Sequence, residues 1–241
     1  MASAFFDCAG FAAIGFVNYL GITSSSAYSL GTGDYFLIRQ QIEGYNVADL
    51  DFGKSTAKTV TVSFWVRSSL TGTFGASITN GDVNRCYPFT YTISTTGWEQ
   101  KTITVAGDTT GTWVGATNSV GLYLSFCLGS GSTSLNTAGS WYSGLYDGPT
   151  GNTSVVGTNG ATFYITGVQL EVGSAASSFE VRDYGRELFL CQRYYQKSFP
   201  VGSPPGQSGI YGSTVSMVGS GTNYIWANHL YRVPMRTTPT L

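Results

Sequence analysis

From Lys58 to Arg67 the chain reads KTVTVSFWVR, with Val60, Val62, Phe64 and Val66 alternating unbroken with Thr59, Thr61, Ser63, Trp65 and Arg67. A helix returns to one face every three or four residues. Strict period two therefore demands extended backbone, with the apolar set buried and the other set toward solvent. The pattern recurs along the chain. Tyr35–Glu43 sets Phe36, Ile38 and Ile42 against Arg39 and Gln41, and a short turn through Asn46–Leu50 follows Gly44. Arg85–Ile93 aligns Tyr87, Phe89, Tyr91 and Ile93; Val120–Leu128 aligns Val120, Leu122, Leu124 and Phe126. Trp98–Val105 alternates as well, and Thr162–Val172 closes the set. Asn80-Gly81 is a hairpin signal that pairs Phe74–Thr79 with Arg85–Ile93. Seven or eight short strands joined by polar loops predict an all-β fold, an antiparallel jelly-roll sandwich.

Composition narrows the function classes. Only 10% of the 241 residues are charged, 12 Lys+Arg against 13 Asp+Glu, where ordinary domains carry about 25%. With no positive excess the chain lacks the field that binds nucleic acid. Plentiful Tyr (16) and Phe (14) exclude the aromatic-poor profile of disorder. The apolar stretch Met1–Leu20 is interrupted by Asp7 and has no basic residue before Arg39, so it does not read as a signal peptide. It is also too short and Gly-broken for membrane insertion. A buried first strand or a ragged chain end is expected there. Cys8, Cys86, Cys127 and Cys191 form no CxxC pair, and His229 is the single histidine. No metal site or cofactor follows from them. All four cysteines are expected as small buried hydrophobes, with a Cys86–Cys127 bridge open if their strands are neighbours.

Catalytic chemistry finds little material. Acid–base and nucleophilic mechanisms need titratable groups paired in a pocket. A glycosidase pair could be drawn only from Glu43, Asp49, Asp51, Glu99, Asp147 and Glu171, and acids on alternating strands are commonly solvated. No phosphate-binding loop is present. Binding by shape and stacking remains. Trp113 lies in the loop Ala106–Asn118, and Trp141, Tyr142 and Tyr146 lie in the long Gly/Ser/Thr/Asn-rich loop Gly129–Gly160. Aromatic rings beside hydroxyls and amides suit the CH faces and hydroxyls of neutral sugars. The competing expectation is that loop aromatics fold back over a sandwich edge, while Trp65 and Trp98 pack in or beside the sheet.

From Glu180 to Lys197 charge density rises abruptly, and Tyr184, Leu188, Cys191 and Tyr195 recur at helical spacing. A helix of about 12 residues is marginal alone in water. It must pack on its own sandwich or meet copies of itself about an oligomer axis. Ser203-Pro204-Pro205-Gly206 reads as a linker. Two further strands, Ser208–Val218 and Asn223–Val233, are too few to close a core, so they pair with another chain or begin a longer one.

The strand Phe163-Tyr-Ile-Thr-Gly-Val-Gln-Leu-Glu-Val-Gly173 followed by Tyr184-Gly-Arg-Glu-Leu-Phe-Leu-Cys-Gln-Arg-Tyr-Tyr195 resembles tail-fibre and related virion proteins of tailed bacteriophages. TVTVSFWVRSSLTGTF, GWEQKTITVAGDTTGTW and the closing VPMRTTPTL are similar to the same family, so the resemblance runs from about Gly21 to the C-terminus. It implies an atypical segment 1–20, a carbohydrate-binding-module-like jelly roll over 21–178, a connecting helix over 179–198 and the start of a distal β domain over 199–241. It implies a non-enzymatic tail-fibre or spike protein located in the virion, a homotrimer joined near Tyr184, Leu188, Cys191 and Tyr195. Its partners would be other virion proteins and a host-surface glycan stacked on Trp141, Tyr142, Tyr146 and Trp113. The alternatives are a capsid-decorating or tail-structural protein that only assembles, and a secreted carbohydrate-binding module of a bacterial glycosidase. Related modules often carry an Asp in the last strand where this chain has Thr166-Gly167, so no calcium site is implied there.

Overall fold

A computed structural model describes residues 15–199, 202–204, 215–218, 225–228 and 231–238. The chain divides into two compact units, Met1–Phe179 and Glu180–Leu241.

The first unit is an antiparallel jelly-roll sandwich. One sheet has the order β1 (Leu20–Thr23), β11 (Thr162–Val172), β3 (Val60–Ser68) and β6 (Glu99–Val105). The other has the order β2 (Tyr35–Glu43), β7 (Val120–Ser130), β4 (Gly72–Asn80), β5 (Arg85–Ile93) and β9 (Tyr142–Ser143). The alternation governs which residues meet between the sheets. Val60, Val62, Phe64 and Val66 are fully buried against Phe74, Ile78, Phe89, Tyr91, Ile93, Leu122, Leu124 and Phe126. Phe64 stands edge-on to both Tyr91 and Phe126, each ring centroid 5.0 Å away. Such edge-to-face pairs add about 0.5–1.5 kcal/mol beyond area burial.

Several expectations are corrected. Thr61 and Ser63 are buried rather than solvent-facing, because β3 is an inner strand and the chain after β11 crosses it. Thr61 Oγ1 there donates to the Gly173 carbonyl at 2.8 Å. The β4–β5 hairpin forms, but not on a two-residue Asn80-Gly81 turn. Asn80 is the last residue of β4, fully buried, and the turn runs through Val83, which takes φ +52°. Asn80 Oδ1 accepts from the N–H groups of Asn84 (2.9 Å) and Arg85 (3.0 Å), so the side chain replaces a tighter turn. Cys86 and Cys127 are buried and free. Cys86 faces Thr79 and Cys127 faces Gly75, on opposite sides of β4, so their strands are not neighbours.

The stretch Gly129–Gly160 is a strap laid across the outer face of the five-stranded sheet, not a loose loop. Leu135–Asn136 (β8) pairs in parallel with Gly148–Pro149 (β10), and Arg85–Cys86 pairs with Tyr142–Ser143. Thr153 and Val155 donate from their N–H groups to the carbonyls of Thr73 (2.6 Å) and Leu128 (2.7 Å). The strap buries Ser77, Thr79, Ser125, Cys86 and Cys127, the period-two partners of the core residues. Gly75 permits this approach, because a Cβ there would overlap the Pro149 ring. At Thr166-Gly167 the last strand bulges, with Gly167 at φ +57°. Phe16 fills the space a Cβ on Gly167 would need, and Thr166 Oγ1 donates to the Asn18 carbonyl at 2.7 Å.

In the second unit α1 spans Tyr184–Gln192, nine residues instead of about twelve. Asp183 caps it by accepting from the Arg186 N–H. Tyr195 lies beyond its end, and Cys191 is exposed rather than buried. Arg236 N–H donates to the Arg193 carbonyl at 2.9 Å, and Gln196 Nε2 to the Val233 carbonyl at 3.0 Å, so 231–236 lies beside the chain following the helix. The distal strands are Val215–Val218 (β12) and Ile225–Asn228 (β13), an antiparallel pair. Residues 231–233 are not strand, and the rest of 208–214 and 219–224 lies outside the described residues, as do His229, Cys8 and the apolar 1–14. Among the described residues no helix is long and apolar enough to cross a membrane.

Phe64→Ala should lower the unfolding free energy by about 3–5 kcal/mol. Gly75→Ala, which forces the strap off β4, should also destabilise the sandwich, and urea unfolding followed by tryptophan fluorescence measures both.

Candidate functional site

Three segments gather beyond one end of the sandwich: the consecutive 3₁₀ turns Gly44–Asn46 and Ala48–Leu50, the loop after β6, and the middle of the strap around Trp141. Asp108 ties the second of these to β5. It is 2% exposed, and its carboxylate takes a two-pronged contact from Arg85, Nε to Oδ2 and Nη2 to Oδ1, both 2.7 Å. Paired Arg–carboxylate bonds of this kind are short, directional and strong. Thr110 donates its N–H and hydroxyl to Oδ1, at 3.2 and 3.1 Å. Trp113 Nε1 donates to Oδ2 at 3.3 Å, so one carboxylate holds both the loop and its tryptophan. Gly53, at φ +87°, donates its N–H to the Asp108 carbonyl at 2.7 Å and joins the first turn to the loop.

The tryptophans predicted for ligand stacking come together. Trp113 and Trp141 are half-buried and edge-to-face, 5.5 Å between centroids. Phe52 stands 4.8 Å from Trp113 and 5.7 Å from Trp141, and Tyr87 stands 5.2 Å from Trp141. Trp141 Nε1 donates to the Ala106 carbonyl at 2.7 Å. The strap thus delivers Trp141 onto the loop end, and much of its surface closes the sandwich edge. Tyr142 and Tyr146 form a separate half-buried pair, 6.0 Å apart. In the second unit Tyr184, Leu188 and Cys191 lie on α1; Tyr184 is 72% and Tyr195 62% exposed, and Leu188 is half-buried.

Beside Trp113 lies a cavity of about 70 Å³. Its wall is Val47, Leu50, Phe52, Trp113, Val114 and Leu122, with Asp51 and Lys54 also lining it. Lys54 Nζ lies 2.7 Å from Asp51 Oδ1, both side chains partly exposed. Lys54 holds the Asp51 carboxyl below its ordinary range. Asp51 itself occupies the left-handed region at φ +56°, which non-glycine residues enter rarely, Asn and Asp most readily.

The six acids named from sequence are dispersed. Asp51 lines the cavity; Glu43 is buried at the end of β2, and Asp49 is exposed in a 3₁₀ turn. Glu171 is bonded by Ser177 and Gln169. Glu99 is held down to about 2, although burial opposes this, by Lys101 and the N–H groups of Thr95 and Ser94. Asp147 is a buried residue of the strap, its Oδ1 2.7 Å from Arg39 Nη2, and Arg39 Nε donates to Ser125 Oγ at 2.9 Å. Among the described residues no three His, Cys, Asp or Glu side chains gather as a metal site. Asp108 was not singled out from sequence. Its signal was an Asp two residues before a Thr that its side chain could bond, in the run GDTTGTW.

No protein-family model and no curated protein matches the chain. Solved structures similar to it include one described as "CBM4 structure and function", at 17% identity and TM-score 0.38, covering 65% of this chain and 72% of that one. Another is "Family 16 Carbohydrate Binding Module-2", at 12% identity and TM-score 0.35, covering 70% and 84%.

The two latching carboxylates differ in sign. Burial works against ionisation of Asp108, but Arg85 and Thr110 outweigh it and keep the carboxyl below its ordinary value. Burial dominates at Asp147 and raises it despite Arg39. Asp108 therefore contributes stability that is full above the ordinary Asp value of about 3.9 and is lost as pH falls through its lower folded value. Asp147 carries a burden above its raised value, relieved as pH falls below it. Asp108→Ala should cost about 3–5 kcal/mol at pH 7 by stranding Arg85. In urea titrations from pH 7 to pH 2, the cost of Asp108→Asn should shrink in acid, and Asp147→Asn should be milder at pH 7.

Proposed function

We propose that the chain is a non-catalytic glycan-binding module of a phage virion protein. The observation that carries the glycan reading is the Trp113–Trp141–Phe52 cluster beside a small apolar cavity with the Asp51–Lys54 pair on its lining. Aromatic faces take the CH surface of a sugar, and a few fixed polar groups set its orientation. The dispersal of the acids, with Asp51, Glu99, Asp147 and Glu171 each occupied by local partners, supports binding over hydrolysis. The virion reading rests on the 163–173 strand and 184–195 helix sequences and their resemblance to tail-fibre proteins. On that reading the module sits on a tail fibre or spike, contacts the host surface, and joins its copies as a homotrimer. The exposed Tyr184, Phe189 and Tyr195 support self-association, because rings left in water at this density mark contact surfaces.

A glycan array probed with the purified chain should give a specific signal that Trp113→Ala abolishes while the variant still unfolds cooperatively. Silence across the array, including host polysaccharides, would end the glycan reading. Mass measurement in solution should return a trimer that Leu188→Lys dissociates; a monomer with the helix intact overturns the axial role of Tyr184, Leu188, Cys191 and Tyr195.

A further inference from the structure

The cavity beside Trp113 is specific about what it can hold. At about 70 Å³ it accommodates roughly five water-sized centres. That is less than a pyranose ring needs and enough for a substituent. Its wall is apolar, through Val47, Leu50, Phe52, Trp113, Val114 and Leu122. Asp51 and Lys54 are the charged residues on its lining, and their carboxylate acceptor and ammonium donor stand 2.7 Å apart. Backbone geometry keeps the space. A side chain at Gly121 would run into Val47 Cγ2, and one at Gly53 would meet the Gly111 carbonyl at 2.8 Å, so both turns approach only because these positions lack a Cβ. Asp51 takes its left-handed conformation as the residue that caps the 3₁₀ turn Ala48–Leu50.

We infer that this cavity binds the acetamido group of an N-acetylated amino sugar, with the sugar ring outside against Trp113; the inference rests on the glycan-binding reading above. An acetamido group carries a methyl for the apolar wall, an N–H for the Asp51 carboxylate and a carbonyl oxygen for the Lys54 ammonium. Its atoms (N, C, O and CH3) match the available room. The methyl of a 6-deoxy sugar would fill the wall equally well but would bring neither polar group. It would take water from the Asp51–Lys54 pair without replacing those bonds, which is unfavourable. A free ring hydroxyl would leave the apolar wall unfilled.

The test uses the full chain. Calorimetric titrations and saturation-transfer NMR are run with N-acetylglucosamine, N-acetylgalactosamine, glucosamine, glucose, fucose and chitin oligosaccharides. An N-acetylated sugar should bind at least tenfold more tightly than its unacetylated counterpart, with the acetyl methyl receiving the strongest saturation. Ala48→Leu, which extends a side chain from the cavity lining into it, should abolish that preference. Asp51→Asn suits the left-handed backbone and removes only the charge, so it stays informative if Ala48→Leu does not fold; it should weaken binding about tenfold or more, a loss of about 1.4 kcal/mol. Binding of other glycans without acetamido preference, a preference for fucose, or N-acetyl binding indifferent to both substitutions overturns the inference and leaves glycan binding standing. Binding of no saccharide overturns both.

Discussion

Phe64 is the residue on which the two sheets agree. Its ring stands edge-on to Tyr91 from β5 and Phe126 from β7, and Val62 and Val66 lie fully buried one pleat away on the same face. Period two makes this contact selective for register. A slip of one residue along β3 would turn Phe64 outward and put Ser63 or Trp65 against Tyr91. The inter-sheet core thus fixes which residues of β4, β5 and β7 face out, and those are the ones available to carry loops. The hydroxyls of Ser77, Thr79 and Ser125 and the thiols of Cys86 and Cys127 face out for that reason.

The strap follows from that outward face. Ser77 Oγ and Thr79 Oγ1 lie buried without a hydrogen-bond partner among the described residues, which costs about 1–3 kcal/mol each. Val155 in the core, the Gly75–Pro149 contact and the strap's backbone bonds to Thr73 and Leu128 offset this. Covering the sheet has a consequence for recognition. A polymer cannot lie along β4 and β7 where Gly148 and Pro149 already do. On the proposed glycan reading, recognition moves to the loop end, where Trp141, carried by the strap, meets Trp113, carried by the loop after β6.

The strands and their inward residues were legible in the sequence because hydrophobic alternation is a local signal. KTVTVSFWVR needs no partner to declare a half-buried strand, and Thr162–Val172 was bounded to the residue. What is not local was not legible. Thr61 and Ser63 read as solvent-facing because the covering segment lies over a hundred positions away at Gly173. The strap's path depends on Gly75 meeting Pro149, two residues whose types suggest a turn when read alone. Trp113 and Trp141, which the structure brings together, were picked out by type, since large rings in polar loops are conspicuous. Asp108, which positions one of them, was missed because its partner Arg85 stands 23 positions earlier on another strand. The helix was recognised by its spacing, but Tyr195 was included because i+11 still fits the period after the backbone has left it.

Scarcity of charge gives the remaining charges their meaning. In a sandwich this poor in ions, those present are placed where a loop must be held against a sheet. Arg39–Asp147 fastens the strap to β2, Arg85–Asp108 fastens the loop after β6 to β5, and Lys101–Glu99 closes the start of β6. The first two enclose carboxylates at 2% exposure, where pairing is obligatory. Lys54–Asp51 departs from that use. It spans one short turn, both side chains remain partly in water, and it joins no two elements. A solvent-exposed pair of this kind adds little stability. On the proposed reading, its place on the lining of an apolar cavity is accounted for by what it offers a ligand.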